Sequence, residues 1–148
     1  MKLAFILRQS SQTLQRVFKE KWISACGKEW KDGEDNHVLI SNPEITKTNI
    51  LSSDQIQVIK EREIADWDIT LVGTLLLKLS FLSTDHGNHH LIARLKEIRN
   101  QIMHNTSLKI NKTDFEYIWK EIEEILTSLG EDRNTIVLLK SKCKLIIL

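Results

Sequence analysis

The chain has 148 residues, with 21 Lys plus Arg against 20 Asp plus Glu, so its formal charge is +1. Apolar residues make up 41% and charged residues 28% of the chain. These fractions are typical of one globular domain and exclude the disordered, collagenous and disulfide-dense classes. One proline and five glycines favour long helices over a many-turned β fold.

The cysteines and the apolar runs bear on where the protein works. Cys26 and Cys143 have no metal-binding or redox spacing, which predicts a reducing compartment and a cytoplasmic protein, with Cys26 in the core. The five apolar residues before Arg8 are too few for a signal peptide. The apolar run over 69–82 is too short to span a bilayer, so no membrane association is expected.

The first half of the chain is predicted to hold two helices. A helix over residues 3–26 follows from an apolar stripe at spacings of three and four, formed by Leu14, Val17, Phe18 and Trp22. Gly27 ends this pattern. The segment 27–53 is predicted to be irregular, with a short extended piece over 38–40, and Ser52 or Ser53 then caps a helix that runs to about residue 64.

The second half is predicted to supply the centre of a helical bundle. Asp66 and Asp68 offer carboxylates at the start of a helix over 69–82 that is apolar almost all round. A helix over 90–105 follows, and Thr113 with Glu116 predicts a capping box for the next helix. The expected fold is an all-α bundle of five to six helices, with a single domain over 1–130 and a C-terminal helix or apolar tail over 131–148.

Three polar residues of the 90–105 helix suit metal-free phosphodiester chemistry. His104 would move a proton at a 2′-hydroxyl, Arg99 would hold the phosphate, and Asn100 would orient either group. Arg99 and His104 are about 140° apart around a continuous helix. They converge only if the helix loosens near His104 or if two copies of the helix face each other across a dimer axis.

The same residues also have a purely structural explanation. Arg99 would pair with Glu97 or Glu121, and His104 would be favoured by the dipole at the end of its helix. The spacing of Arg99 and His104 alone favours this explanation, because it arises often by chance.

Two further groups of residues are candidate binding sites. The N-terminal region is basic and offers phosphate contacts, or else the polar face of an amphipathic helix, through Arg8, Arg16, Lys19, Lys21, Lys28 and Lys31. His86, His89 and His90 have the spacing of a metal site but lack the cysteine or carboxylate support that zinc usually has. Solvated loop histidines are commoner, so no metal and no cofactor is expected.

The order Arg99-Asn100-x-x-x-His104, with a second amphipathic helix behind it, resembles the Arg-x(4–6)-His signature of the HEPN superfamily. The segment WDITL at 67–71, the pair Asp114-Phe115 with Trp119, and a helix ending at Gly130 resemble one animal branch of it. That branch is the HEPN domain of the DAZ-interacting zinc-finger ubiquitin ligase type. The resemblance covers about residues 14–130.

The resemblance implies an up-and-down helical bundle that dimerises through the 90–105 helix. In active members, Arg and His of two subunits form a metal-independent endoribonuclease that leaves 2′,3′-cyclic phosphate. Arg99, Asn100 and His104 would then be catalytic, acting on single-stranded RNA and not on DNA, in intracellular defence or stress signalling. Other members are non-catalytic dimerisation or protein-interaction modules of larger proteins. The chain has no RING, NACHT or P-loop pattern, so ligase and nucleotide-hydrolysing activities of relatives are not carried over.

Overall fold

A computed structural model of the chain describes residues 3–83, 86–104 and 111–146. Its α-helices, in chain order, are Ala4–Cys26 (α1), Glu34–Ile40 (α2), Pro43–Thr46 (α3), Ser53–Glu61 (α4), Ile69–Lys78 (α5), His89–His104 (α6), Lys112–Ser128 (α7) and Arg133–Ile146 (α8). Short 3-10 turns at Ile64–Asp66 and His86–Asn88 precede α5 and α6. These ranges contain no strand, so the predicted all-α fold class is confirmed.

Four helices form a closed ring around the core. Helix α1 packs on α5, α5 on α6, α6 on α7, and α7 returns to α1. Helix α5 is buried along most of its length, as its almost continuous apolar sequence predicts. Helices α2 and α4 pack on each other beside the ring, and α8 lies against α1 and α7.

The predicted stripe of α1 contributes two rings, those of Phe18 and Trp22, to a cluster of aromatic side chains. Leu14, Val17, Phe18 and Trp22 are all buried, and Gly27 ends the helix at a φ of 77°, donating its N–H to the carbonyl of Ile23. Neighbouring rings in the cluster have centroids 4.7 to 6.0 Å apart, and its members are Phe18, Trp22, Trp30, Trp67 and Phe81. Packing thus accounts for these tryptophans, which join α1 to the start of α5.

The segment after α1 is more helical than its sequence predicts. Residues 38–40 belong to α2 and are not extended. The start of α2 is held by two side chains: Asp35 accepts the N–H of Lys31 at 2.6 Å, and Asn36 accepts that of Gly33 at 3.1 Å. Leu39 then fills a core position at 1% exposure, which fixes the short helix against the bundle.

Two further local predictions were wrong. Asn111 caps α7, accepting the N–H of Asp114 at 2.8 Å, so that Thr113 lies inside the first turn and does not cap it. Cys26 is exposed at the end of α1, outside the core. The side chain of Cys143 lies outside the described residues.

Glu131 and Ile136, which follow the predicted end of the domain at 130, pack on the ring. The carboxylate of Glu131 accepts hydrogen bonds from Thr13 at 3.0 Å and from Arg16 at 3.4 Å, and Ile136 of α8 is fully buried. Among the described helices, none combines the length and apolar character needed to cross a bilayer.

Candidate functional site

Helix α6 carries two arginines that the structure uses differently. Arg94 donates two hydrogen bonds of 2.8 Å to the two carboxylate oxygens of Glu121 on α7, and a third of 3.1 Å to Glu97. This contact raises the pKa of Arg94 and lowers that of Glu121, because each charge is stabilised by its hydrogen-bonded partner. The two carboxylates that the structural explanation assigned to Arg99 are therefore both bound to Arg94.

Arg99 has only weak partners among the described residues. Its guanidinium lies 3.5 Å from a carboxylate oxygen of Asp68 and donates a 3.3 Å hydrogen bond to the amide oxygen of Asn100. The Asp68 side chain is 55% exposed, and its other oxygen caps α5 by accepting the N–H of Leu71 at 2.8 Å. A long ion pair to an exposed carboxylate contributes little free energy, so the guanidinium can exchange it for a phosphate.

The structure brings Arg99 and Asn100 together but leaves His104 apart. His104 is the last residue of α6 and is exposed. Its imidazole makes no hydrogen bond to any described residue, and residues 105–110 beyond it lie outside the described ranges. Because α6 is continuous through His104, Arg99 and His104 remain about 140° apart on one copy of the helix. Of the two arrangements that would let Arg99 and His104 converge, a loosened helix end is therefore not observed, and a facing copy of α6 is the one left.

One cation beside this site was missed by the sequence reasoning. The ammonium of Lys96 donates a 3.0 Å hydrogen bond to the hydroxyl of Thr74 on α5. Its aliphatic stem crosses Gly73, where an added Cβ would lie 2.8 Å from the Lys96 Cδ. Burial and the charge of Lys78 lower the pKa of Lys96. A single glycine inside an otherwise apolar helix was the only sequence signal of this close approach.

The basic residues near the N-terminus are divided among several positions. Arg16 is bound within the fold, to Glu20 at 2.9 Å and to the carbonyl of Leu129 at 2.6 Å, besides Glu131. Lys28 lies 3.4 Å from the buried carboxylate of Asp35. The remaining four differ in setting: Lys21 is half-buried with a partner, while the exposed ones are Arg8, Lys19 and Lys31. Arg8 and Lys19 share one face of α1, since eleven residues make about three turns.

No cluster of three metal-binding side chains occurs among the side chains that the structure describes. The structure describes the side chains of His89 and His90 but not that of His86, the third histidine of the predicted group.

Comparison with known proteins gives one match. A family model described as DZIP3/hRUL138-like HEPN matches residues 44–144, which run from α3 into α8 and include the whole of α6. No match was found among curated proteins or among solved structures.

Proposed function

Because this chain belongs to the DZIP3/hRUL138-like HEPN family, we propose that it binds single-stranded RNA and cleaves it without a metal ion. The observation that carries the proposal is the weak ionic contact of the Arg99 guanidinium. Among the described residues its one acidic contact is a 3.5 Å approach to an exposed carboxylate, although Arg94 on the same helix is fully engaged by carboxylates. A guanidinium of this kind suits a phosphate, which it can contact through two parallel N–H groups.

The proposed reaction uses three side chains and the 2′-hydroxyl of the RNA. His104 accepts the proton of the 2′-hydroxyl while the 2′-oxygen forms a bond to phosphorus. The bond from phosphorus to the 5′-oxygen breaks as this bond forms. Arg99 stabilises the charge that builds on the phosphate oxygens, and Asn100 holds the guanidinium through its amide oxygen. The leaving 5′-oxygen takes a proton from water and the His104 imidazolium returns its proton to the solvent, so the products are a 2′,3′-cyclic phosphate and a 5′-hydroxyl.

The proposal requires a homodimer in which two α6 helices face each other. One copy of α6 keeps Arg99 and His104 on different sides, as described above, so each site would combine groups from two subunits. Met103 supports this arrangement, because it is 45% exposed on the same helix, one turn from Arg99. An exposed apolar side chain beside the polar groups gives two helices something to bury.

Outer contacts with RNA are proposed for the exposed members of the N-terminal basic group, Arg8, Lys19 and Lys31. Arg16, Lys21 and Lys28 have partners within the chain and would contribute mainly through their long-range charge. The proposed setting is the cytoplasm, in a defence or stress response, and the small number of cysteines supports a reducing compartment.

A second candidate function is a non-catalytic dimerisation or protein-interaction module of a larger signalling or ubiquitin-ligase-type protein. The observation that favours it is a set of exposed apolar side chains on α7 and α8. Tyr117 is 69% and Leu138 is 64% exposed. In this case Arg99 and His104 would lie in a protein interface and no RNA would be cut.

Incubation of the purified protein with labelled single-stranded RNA in EDTA separates the two functions. We expect cleavage to cyclic phosphate ends by the parent protein, and none by the His104→Ala variant. His37→Ala is the matched control, because His37 is an exposed histidine on α2. Failure of a folded dimer to cut any of several RNAs would favour the interaction module.

A further inference from the structure

Two cations, Lys96 and Arg99, lie along the contact between α5 and α6. The two helices run in opposite directions, since Asp68 contacts Arg99 at one point and Gly73 lies against Lys96 and Ile92 further along. Lys96 precedes Arg99 by three residues, so the two side chains lie about one turn apart on neighbouring positions of α6. Lys96 therefore belongs to the same surface as the Arg99 contact, but no function proposed above uses it.

The ammonium of Lys96 is held in place without a counter-charge. Its only hydrogen bond among the described residues is to the neutral hydroxyl of Thr74, and no described carboxylate lies within ion-pair distance. The charge of Lys78 also acts on it, and this interaction is repulsive. Burial without a neighbouring carboxylate destabilises the charged form of Lys96. A bound anion would remove this cost, so the position favours an anionic ligand.

The backbone of α5 keeps this cation in position. Gly73 leaves room for the Lys96 stem, which an alanine Cβ would meet at 2.8 Å from Cδ and 2.9 Å from Cγ. The hydroxyl of Thr74 in turn donates to the carbonyl of Thr70 at 2.7 Å, which leaves its oxygen lone pair directed at Lys96. The ammonium is thus fixed by one close approach and one hydrogen bond, which reduces the entropy lost when it binds a ligand.

We propose that Lys96 binds a second phosphate of the RNA strand, next to the phosphate held by Arg99. This inference rests on the RNA-binding function proposed above and adds a residue to it. A strand bound across the contact between α5 and α6 would present successive phosphates to Arg99 and Lys96. Lys96 would set the register of the strand and would not take part in the bond-breaking step.

The test is RNA binding measured by fluorescence anisotropy over a series of salt concentrations. All proteins carry His104→Ala, so that the labelled oligouridylate used as the probe stays intact. Lys96→Gln should raise the Kd roughly five- to tenfold, the effect of one charge-assisted contact. It should also reduce the slope of log K against log salt by about 0.7, the value for one phosphate contact on a single strand.

Two further variants separate position from charge. Lys60→Gln removes an exposed lysine of α4 and should leave the Kd within about twofold, because a distant surface charge is screened. Gly73→Ala keeps every charge but displaces the Lys96 stem, so it should weaken RNA binding while the protein remains folded by circular dichroism. If Gly73→Ala unfolds, the comparison of the Kd values of Lys96→Gln and Lys60→Gln alone tests whether Lys96 contacts the RNA.

The outcomes distinguish this inference from the proposal on which it rests. If the parent binds RNA and Lys96→Gln and Lys60→Gln change the Kd equally, the phosphate contact of Lys96 is overturned. The RNA-binding proposal would remain intact. Absence of RNA binding by the parent would overturn both. A Lys96→Gln protein that sediments as a monomer where the parent is a dimer would also overturn the inference, since Lys96 would then bind a partner subunit.

Discussion

The guanidinium of Arg94 binds both carboxylate oxygens of Glu121, at 2.8 Å each, and so joins α6 to α7. The pair is partly shielded from water, with the two side chains 35% and 27% exposed. Arg94 also binds Glu97. Since this arginine occupies both nearby carboxylates, Arg99 five residues later is left with Asp68 alone as an acidic partner in the described residues. The weak pairing of Arg99 therefore depends on the contact of Arg94 with Glu121 and Glu97.

Replacement of Glu121 should measure the strength of this connection. We expect Glu121→Gln to lower the free energy of unfolding by about 1 to 2 kcal/mol, because it weakens two charge-assisted hydrogen bonds between partly exposed groups. Glu124→Gln, at an exposed position of the same helix, is the control and should change stability by less than about 0.5 kcal/mol. Urea denaturation of both variants gives the comparison.

The same pair should contribute to the pH dependence of stability. Its hydrogen bonds lower the pKa of Glu121 in the folded protein, so the contribution is complete above the unfolded pKa, near 4.3, and is lost as the pH falls through the folded value. The stability difference between the parent and Glu121→Gln should thus be largest near neutral pH and shrink below about pH 4. A difference that stays constant over a urea series from neutral to acidic pH would contradict this assignment.

Arg99 should matter for RNA and not for the fold. We expect Arg99→Gln to change the free energy of unfolding by less than about 0.5 kcal/mol, since its ion pair is long and its partner exposed. Arg94→Gln should cost about 1 to 3 kcal/mol, because it leaves Glu121 without its bidentate partner. Thermal unfolding of the two variants tests this contrast. An Arg99→Gln protein less stable than Arg94→Gln would return Arg99 to a structural role.

Asn36 should be important for the part of the fold beside the ring. Its amide donates to the carbonyls of Ile59 at 2.7 Å and Arg62 at 2.9 Å, and its oxygen accepts from Gly33. Asn36→Ala should therefore destabilise the protein by about 2 to 3 kcal/mol, because the buried carbonyl of Ile59 loses this donor and the carbonyl of Arg62 keeps only a 3.4 Å bond from the indole of Trp67. His37→Ala, at the exposed neighbouring position, is the control, and denaturant unfolding of both gives the measurement.

Ile136 tests whether residues after 130 belong to the domain or form an appended tail. Its side chain is fully buried, so Ile136→Ala should cost about 2 to 4 kcal/mol and shift one cooperative transition. Val137→Ala at the next, 48% exposed position should have an effect below about 1 kcal/mol. Two separate transitions, or an Ile136→Ala effect as small as that of Val137→Ala, would indicate an appended helix.

Periodic apolar spacing predicted the long helices because one face of each is buried over several turns. The stripe of α1 and the apolar length of α5 were both visible in this way. The short helix α2 was not, since it has only seven residues and depends on Asn36 reaching carbonyls 23 and 26 positions away. The cap of α7 was misplaced because Asn111 and Thr113 both have cap-forming side chains, and local sequence does not decide between them.

The candidate site was predictable in residue type but not in its contacts. The spacing of Arg99, Asn100 and His104 pointed to α6, but the partner of Arg99 is Asp68, which lies 31 positions earlier in the chain. Lys96 escaped notice because its distinguishing feature is the absence of a described carboxylate around it, together with the close approach of Gly73. Both are properties of the packing between α5 and α6 and leave no local pattern.

The central claim is that Arg99 of one subunit and His104 of another act on the same phosphate. The most direct measurement mixes Arg99→Ala with His104→Ala, each inactive alone, and follows cleavage of single-stranded RNA in EDTA. If subunits exchange freely, half the dimers are mixed and each has one intact site, so activity should recover to roughly a quarter of the parent level. Native mass spectrometry confirms that mixed dimers form. Mixed dimers with no cleavage, beside a parent that cuts, would contradict a site shared between subunits.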